Sequence, residues 1–206
     1  MTAVFAHQGM LVEAVFPLEG KALPREHAQA LQHALTERLP WLSSDAGAGI
    51  HPLKLVSGPE RLALLSGRTR LILRVNGNRL EALQALAGVE LNVAGHALRL
   101  GAVHLRVLQS HATLYAYRVA AMGVDEPAFM QIMEAELAAL AIAGERVCGK
   151  RQSVLVDGFE MATFSMMLHG LVPEQSLRLQ EQGLGPHRLL GCGIFVPHKS
   201  AAAVGG

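Results

Sequence analysis

The chain has 206 residues, half of them apolar, and a formal net charge of +1. This apolar content argues against a disordered chain, and no uninterrupted run approaches the roughly 18 apolar residues that a membrane-spanning helix needs. The N-terminus shows no signal-peptide pattern, so we expect a soluble cytoplasmic protein that does not contact a membrane. The two cysteines, Cys148 and Cys192, lie far apart and form no C-x-x-C motif. We therefore expect neither a disulfide scaffold nor a zinc site, and we predict no metal and no cofactor.

The type of cation is more informative than the net charge. Of the 18 cations only Lys21, Lys54, Lys150 and Lys199 are lysines, so fourteen are arginines. The guanidinium fork binds phosphate oxygens and base edges better than an ammonium group does. Because the overall charge is near neutral, any nucleic-acid contact must depend on a local patch rather than on general attraction.

The first half of the chain predicts the element order β-α-β-β-α-β. Its first helix shows apolar residues at helical spacing from Ala28 to Leu39, with Pro24 at its start and Pro40 after its end. A Ser66-Gly67 turn predicts that the strands on either side of it pair. The predicted elements are a strand at 10–16, a helix at 24–39, strands at 50–56, 61–65 and 69–75, a helix at 79–87, and strands at 89–93 and 97–107.

The second half repeats this order. Asp125 caps a predicted helix, and Asp157-Gly158 joins two strands in a hairpin. The predicted elements are a strand at 113–121, a helix at 125–142, strands at 146–156 and 159–169, a helix at 173–182, and a strand at 193–197. Two tandem βαββαβ units predict an α+β protein of two ferredoxin-like, RRM-like domains. We place the first domain, with the candidate catalytic helix, at 9–108 and the second, with a glycine-rich loop, at 109–206.

Two of the ten histidines lie on the first predicted helix. His27 falls at the border of the apolar stripe, in the first turn, where the positive end of a helix disfavours imidazolium and attracts phosphate. A neutral imidazole at such a place is suited to proton abstraction. His33 falls on the opposite, polar side. From the helix alone, however, a histidine at the boundary of a buried face remains the more frequent interpretation of His27.

A glycine-rich stretch stands out near the end of the chain. Gly183 and Gly185, then Gly191 and Gly193, form two glycine-apolar-glycine units, a pattern with a chance probability of about 0.005 in a chain of this composition. It is not a dinucleotide-binding fingerprint, because Arg188 occupies the position of the third glycine. The paired glycines around this arginine predict a loop whose amides face phosphates, with a simple turn before a last strand as the alternative.

A second basic group precedes the hairpin of the second domain. It consists of Arg146, Lys150 and Arg151, which together with His187 and Arg188 of the glycine loop would give one cationic face for an RNA backbone. The alternative is an ordinary solvated strand end. The chain has only nine aromatic residues of the Phe, Tyr and Trp types, so stacking of bases on the sheet, as in a standard RRM, is not supported.

These residues together resemble the CRISPR-associated repeat-processing endoribonucleases of the RAMP superfamily, in particular their short form. The stretch from Gly183 to Gly193 matches the glycine-apolar-glycine pattern of that superfamily without a gap, including a basic residue between the pairs. Further segments similar to the short form are 23–27, 40–42, 50–52, 93–96, 176–180 and 191–197.

The resemblance implies metal-independent cleavage of precursor CRISPR RNA within its repeats, by attack of the 2′-hydroxyl that precedes the scissile phosphate. It implies His27 as the general base and, secondarily, His33. Lys150, Arg151 and Arg188 are candidates for stabilising the transition state or protonating the leaving oxygen. The implied partners are the CRISPR repeat hairpin, which is an A-form structure read by shape and phosphates, and the other subunits of a crRNA-guided effector complex.

Three alternatives remain open from the sequence. One is a family member that binds repeat RNA but has lost cleavage, and another is a tandem ferredoxin-like ligand-binding module unrelated to RNA. A histidine-dependent metalloprotein is the third, and added chelator separates it from a metal-free transphosphorylation.

Overall fold

A computed structural model describes residues 9–121 and 125–198. The chain divides between Val107 and Leu108 into two compact units, which are described separately below. The last eight residues of the predicted second domain, 199–206, lie outside the described part. Among the described residues, no helix is long and apolar enough to cross a membrane.

Unit 1 contains an antiparallel sheet in the ferredoxin-like order β3-β6-β1-β9, and a β8-β7 hairpin continues it at the end of β1. Short 3-10 turns follow α1 and β6. The elements are β1 Leu11–Glu19, β2 Ala22–Pro24, α1 Ala28–Arg38, β3 Gly49–Ile50, β4 Val56–Ser57, β5 Leu62–Leu64, β6 Arg70–Asn76, α2 Leu80–Gln84, β7 Glu90–Val93, β8 His96–Leu100 and β9 His104–Val107.

The core of unit 1 follows from the alternation of β1. Val12, Ala14 and Phe16 are fully or almost fully buried, as expected for one face of a strand whose side chains alternate between the two sides of the sheet. Helix α1 contributes Leu31 and Leu35 as buried residues. Glu13, on the other face of β1, lies among charged residues described below.

The predicted strand at 97–107 is wrong in one respect, because it is interrupted between β8 and β9. The interruption lies opposite Pro17 of β1. β9 pairs with residues 12–15 and β8 pairs with residues 18–19, and proline has no N–H for a ladder bond between them. The Gly101 N–H donates instead to the Pro17 carbonyl at 2.8 Å.

The predicted hairpin of strands 61–65 and 69–75 is also wrong. β5 pairs with β2 and β4 in a separate three-stranded sheet, in the order β2-β5-β4, which we call the small sheet. Pro24 ends β2 rather than beginning the helix, and α1 begins at Ala28. The predicted strand at 50–56 is reduced to β3 and β4, which belong to different sheets.

Unit 2 has the predicted βαββαβ order, and its antiparallel sheet runs β11-β12-β10-β13. Its core joins Phe129 and Met133 of the first helix to Phe164 and Met166 of the sheet. The Asp125 carboxylate accepts a hydrogen bond from the Ala128 N–H at 3.0 Å, which confirms the predicted cap. The elements are β10 Thr113–Ala120, α3 Glu126–Ala139, β11 Glu145–Val156, β12 Phe159–His169, α4 Pro173–Gln182 and β13 Phe195–Pro197.

Candidate nucleic-acid interface

His27 lies directly before the first residue of α1, where its carbonyl accepts the first helical hydrogen bond, from the Leu31 N–H at 2.8 Å. Its half-buried side chain turns back towards β2, and Nδ1 lies 2.8 Å from the Pro24 carbonyl oxygen. A carbonyl oxygen only accepts hydrogen bonds, so Nδ1 carries the proton. In the neutral ring the lone pair is then on Nε2, the atom that a general base would use.

His33 lies one and a half turns further along α1 and is exposed. Its place on the polar side of the helix agrees with the sequence analysis. The two candidate histidines therefore differ in one property that matters for chemistry. The ring of His27 is fixed by a backbone carbonyl, whereas that of His33 points from a solvated helical face.

The glycine loop begins at the end of α4, where Gly183 follows the last helical residue. All four glycines of the pattern have positive φ: 68° at Gly183, 67° at Gly185, 80° at Gly191 and 66° at Gly193. Residues with a side chain rarely adopt this backbone region. The loop completes its turn at Gly193, so β13 begins at Phe195 rather than at 193 as predicted.

The glycines also allow backbone segments to approach one another closely. A Cβ atom on Gly193 would overlap the Leu184 carbonyl oxygen, and one on Gly185 would overlap the Ala120 carbonyl oxygen. The Gly193 N–H donates to the Arg118 carbonyl at 2.8 Å. The spacing that is evident in the sequence is thus required by how the loop packs against β10.

The Gly185 amide, like that of Gly193, has a hydrogen-bond partner within the protein, and the Arg188 side chain packs inside the loop. The Gly185 N–H donates to the Glu136 carboxylate at 2.8 Å. The Arg188 guanidinium lies against Gly183, where a side chain would overlap it, and its Nε and Nη1 atoms are buried. His187, the other basic residue of the loop, is half-buried and has a positive φ of 67°. Arg188 therefore supports the shape of the loop from inside.

The three cations of β11 have different surroundings. Arg146 forms an ion pair with Glu134 of α3. Arg151 lies opposite the core residue Phe164, which places it on the helix side of the sheet. Lys150 is exposed and lies in an irregularity of the ladder between Cys148 and Arg151.

This irregularity has a counterpart on the other side of β12. The β10–β12 register shifts between Ala116 and Val119, and both shifts lie opposite Ser165. Bulges of this kind re-aim side chains and are frequent near functional sites. Tyr117, which is 51 % exposed, and Lys150 lie within the two shifted stretches.

The two basic groups of unit 2 lie at opposite edges of its sheet. β11, with Arg146, Lys150 and Arg151, forms one edge, and β13, which follows the glycine loop, forms the other. Three strand spacings separate the edges, a distance of about 14 Å. A single cationic face would therefore have to span the width of the sheet, and it stays a prediction.

Comparison with known proteins agrees with this architecture. The model of the family described as Cas6 Crispr matches residues 12–200 of the chain. The chain belongs to the Cas6 family. It is also similar to the CRISPR-associated endonuclease Cas6 of Myxococcus xanthus strain DK1622, with 36 % identity over 196 residues that cover 95 % of this chain and 85 % of that protein. The resemblance found in the sequence is thus confirmed.

Solved structures confirm the fold of this Cas6 family member. A CRISPR associated protein Cas6 matches with a TM-score of 0.65 and 13 % identity, over 92 % of this chain and 99 % of that one. An RAMP protein binding different RNA substrates matches with a TM-score of 0.66 and 14 % identity, over 90 % and 98 % of the two chains. The predicted pair of tandem ferredoxin-like domains is confirmed.

A charged cluster that was not predicted from the sequence lies on the face of the unit 1 sheet opposite Val12, Ala14 and Phe16. Glu13 of β1 lies opposite both Arg74 of β6 and Arg106 of β9 in the strand register. Arg74 Nη2 donates to Glu13 Oε1 at 2.7 Å, and Arg106 Nη2 donates to Oε2 at 2.8 Å. His51 Nε2 lies 3.2 Å from Oε1. A glutamate between buried residues of β1 is the only sign of the cluster in the sequence.

Burial and charge act in opposite directions on this cluster. Burial alone would raise the pKa of Glu13, but the interactions with His51 and Arg74 outweigh it and lower the pKa to about 2. Burial lowers the pKa of His51 below its ordinary value, although the Glu13 carboxylate acts in the opposite direction. The Arg74 side chain is fully buried. The cluster therefore contains a charged carboxylate and a neutral imidazole at neutral pH.

Proposed function

We propose that the chain is an endoribonuclease that cleaves precursor CRISPR RNA within its repeats. The observation that carries this proposal is its similarity, along almost its whole length, to a protein named CRISPR-associated endonuclease Cas6. The fold supports it, since the similar RAMP structure is of a protein that binds RNA. We further propose that the reaction needs no metal, because the 2′-hydroxyl of the RNA supplies the nucleophile.

His27 has the general-base role in this proposal. Its Nε2 accepts the proton of the 2′-hydroxyl on the nucleotide before the scissile phosphate, and that oxygen attacks the phosphorus. The bond from phosphorus to the 5′ oxygen breaks, and the leaving oxygen takes up a proton. The products are a cyclic phosphate and a 5′-hydroxyl end. The Pro24 carbonyl supports this role because it fixes the tautomer and the direction of the ring.

The basic residues of unit 2 bind the RNA in this proposal. Lys150 is the best placed for a phosphate, because it is exposed and has no ion pair in the part of the chain that the structure describes. Its neighbours Arg146 and Arg151 extend the contact along β11, and they match the shape and phosphates of an A-form hairpin. The glycine loop, with His187 and Arg188, contributes a second contact at the other edge.

A test of the reaction uses the repeat RNA of the same genome in the presence of chelator. We expect a single cut in each repeat, and no cut when the nucleotide before the scissile phosphate is 2′-deoxy. Cleavage of the deoxy RNA would show that the 2′-hydroxyl is not the nucleophile. Activity that disappears with chelator and returns with a divalent ion would show a metal-dependent reaction.

We also propose that the enzyme keeps the cleaved hairpin and remains with it as a subunit of a crRNA-guided effector complex. Tight product binding makes turnover slow, so the amount of RNA cut in an excess of substrate should level off near one equivalent of enzyme. Rapid multiple turnover, with product released into solution, would contradict retention.

A further inference from the structure

The small sheet is surrounded by positive charge that the proposed RNA contacts do not include. Residues 21–27 and 51–70, which form this sheet and its loops, contain six cations and two carboxylates, a net charge of +4 in a chain whose total is +1. We call the six the small-sheet cations: Lys21, Arg25, Lys54, Arg61, Arg68 and Arg70.

Two hydrogen bonds to backbone carbonyls bring four of these cations to one end of the small sheet. The Leu65 N–H donates to the Lys21 carbonyl at 3.0 Å. The Thr69 hydroxyl donates to the Lys54 carbonyl at 3.2 Å. Arg68 and Arg70 are the neighbours of Thr69 in the chain, so this end holds a compact group of positive charges.

The other end of the small sheet holds the remaining two cations. The Arg25 N–H donates to the Arg61 carbonyl at 2.9 Å, so the two residues lie side by side. The strands β2 and β5 are three residues long, which puts the two ends about 10 Å apart. His27 follows Arg25 by two residues and is bonded to Pro24, the last residue of β2. The candidate general base therefore lies beside this end.

The small-sheet cations are mostly exposed and stand outside the described ion pairs. Five of the six are exposed and Arg70 is half-buried. Arg25 donates to the carbonyl of Gly58, and Arg70 to that of Gly67; such bonds hold a guanidinium in place without neutralising it. None of the ion pairs within residues 9–121 and 125–198 includes a small-sheet cation.

The turn between β4 and β5 holds Arg61, one of the small-sheet cations, in a strained backbone conformation. Glu60 and Arg61 have positive φ angles of 47° and 64°, and the Leu62 N–H closes the turn onto the Pro59 carbonyl at 2.8 Å. Hairpin turns with two positive φ angles favour Asn and Gly. Residues in strained backbone regions cluster at functional sites. Here the turn presents Arg61 next to Arg25.

The open face of the small sheet is apolar. Val56 and Leu64 are paired in the register and are 56 % and 38 % exposed. Both carboxylates of the region, Glu26 and Glu60, adjoin the Arg25–Arg61 end, so the net positive charge lies at the end with Lys21, Lys54, Arg68 and Arg70. That end is suited to the phosphates of a nucleic-acid strand.

We propose that the small sheet and its cations bind the RNA strand beside the scissile phosphate, along the path to His27. This inference rests on the proposed function and adds a binding surface in unit 1 to the contacts of unit 2. The strand is held through its sugar-phosphate backbone, so the contact is sensitive to salt and tolerant of sequence.

The turn provides the sharpest test. Arg61→Gly removes one cation and relieves the positive φ, so it should raise the melting temperature while it weakens RNA binding several-fold. Glu60→Gly is the matched control, because it relieves the same kind of strain without removing a cation, and its RNA affinity should equal or exceed that of the wild type. Binding is measured with repeat RNA that carries the 2′-deoxy substitution, so that cleavage does not interfere.

A second pair of variants tests the opposite end. Lys54→Ala/Arg68→Ala should weaken binding about tenfold or more and reduce the slope of log affinity against log salt by about 1.4. The control Arg38→Ala/Arg178→Ala removes two exposed arginines that lie outside the small sheet, and should leave both quantities nearly unchanged.

The outcomes separate this inference from the proposed function. Wild-type protein that neither binds nor cleaves the RNA would overturn both. Wild-type protein that binds and cleaves, with unchanged affinity and salt slope in Arg61→Gly and Lys54→Ala/Arg68→Ala, would overturn the small-sheet inference alone.

Discussion

The guanidinium of Arg188 occupies the space that a side chain on Gly183 would fill. Two residues that the sequence analysis took as parts of a phosphate-binding surface are thus in contact with each other. The glycine at 183 has two roles in this contact, since it adopts a φ of 68° and also makes room for the arginine. The glycine pattern is therefore required for the fold of the loop, whatever part the loop has in RNA binding.

A first prediction concerns Gly183→Ala. An alanine there has an unfavourable backbone conformation and overlaps both Arg188 and the Gly193 carbonyl, so we expect the free energy of unfolding to fall by about 3 kcal/mol. Gly67→Ala is the control, because Gly67 has open space around it and no positive φ; it should be neutral or slightly stabilising. Equal effects of the two substitutions in denaturant titrations would contradict this account of the loop.

A second prediction separates Arg188 from Lys150. Arg188→Ala should lower both the free energy of unfolding, by about 1–2 kcal/mol, and the affinity for repeat RNA, because it removes the internal support of the loop. Lys150→Ala should leave stability within about 0.5 kcal/mol and reduce the salt slope of binding by about 1. If Arg188→Ala weakens binding without any change in stability, the arginine acts only as a direct RNA contact and does not support the loop.

A third prediction follows from the lowered pKa of Glu13. A carboxyl with a pKa of about 2 in the folded state and 4.5 in the unfolded state contributes about 3 kcal/mol of stability above pH 5. This contribution is lost as the pH falls from 4.5 towards 2. Glu13→Gln should therefore be destabilised by a similar amount at pH 7, because it leaves the buried Arg74 without its carboxylate. Its stability should also depend less on pH below 4.5 than that of the wild type.

A fourth prediction concerns His51 in the same cluster. Because its pKa is lowered in the folded state, the unfolded chain takes up a proton first, and stability should decrease as the pH falls below 6.5. His51→Gln should remove that part of the pH dependence while Glu13 still titrates at lower pH. Identical curves for wild type and His51→Gln between pH 7.5 and 5.5 would show that His51 titrates alike in both states.

Patterns that are local in the sequence predicted local structure well. The Asp125 cap, the Asp157-Gly158 hairpin and the element order of unit 2 all depend on residues close to one another in the chain, and the structure contains each of them. The small sheet escaped prediction because strands of two or three residues are too short to show alternation. Pro24 was misleading for a similar reason, since proline is as suitable for the end of a short edge strand as for the first turn of a helix.

Features that depend on strand order or register could not be predicted. Glu13 meets Arg74 and Arg106 across two strand pairs, and the basic groups of β11 and the glycine loop lie at opposite edges. The sequence marks the first relation only by a glutamate between apolar residues of β1. His27 was only partly predictable. The helix that follows it was evident from the spacing of apolar residues, whereas its bond to the Pro24 carbonyl depends on the local turn before α1. Its catalytic role stays a prediction.

The most direct test of the central claim is the single-turnover rate of repeat cleavage in chelator for His27→Ala. General-base catalysis contributes about 100-fold or more to such rates. We therefore predict that His27→Ala loses at least that factor while its affinity for the RNA stays within a few-fold of wild type, and that His33→Ala cleaves at the wild-type rate. A His27→Ala protein that cleaves as fast as the wild type would contradict the assignment of His27 as the general base.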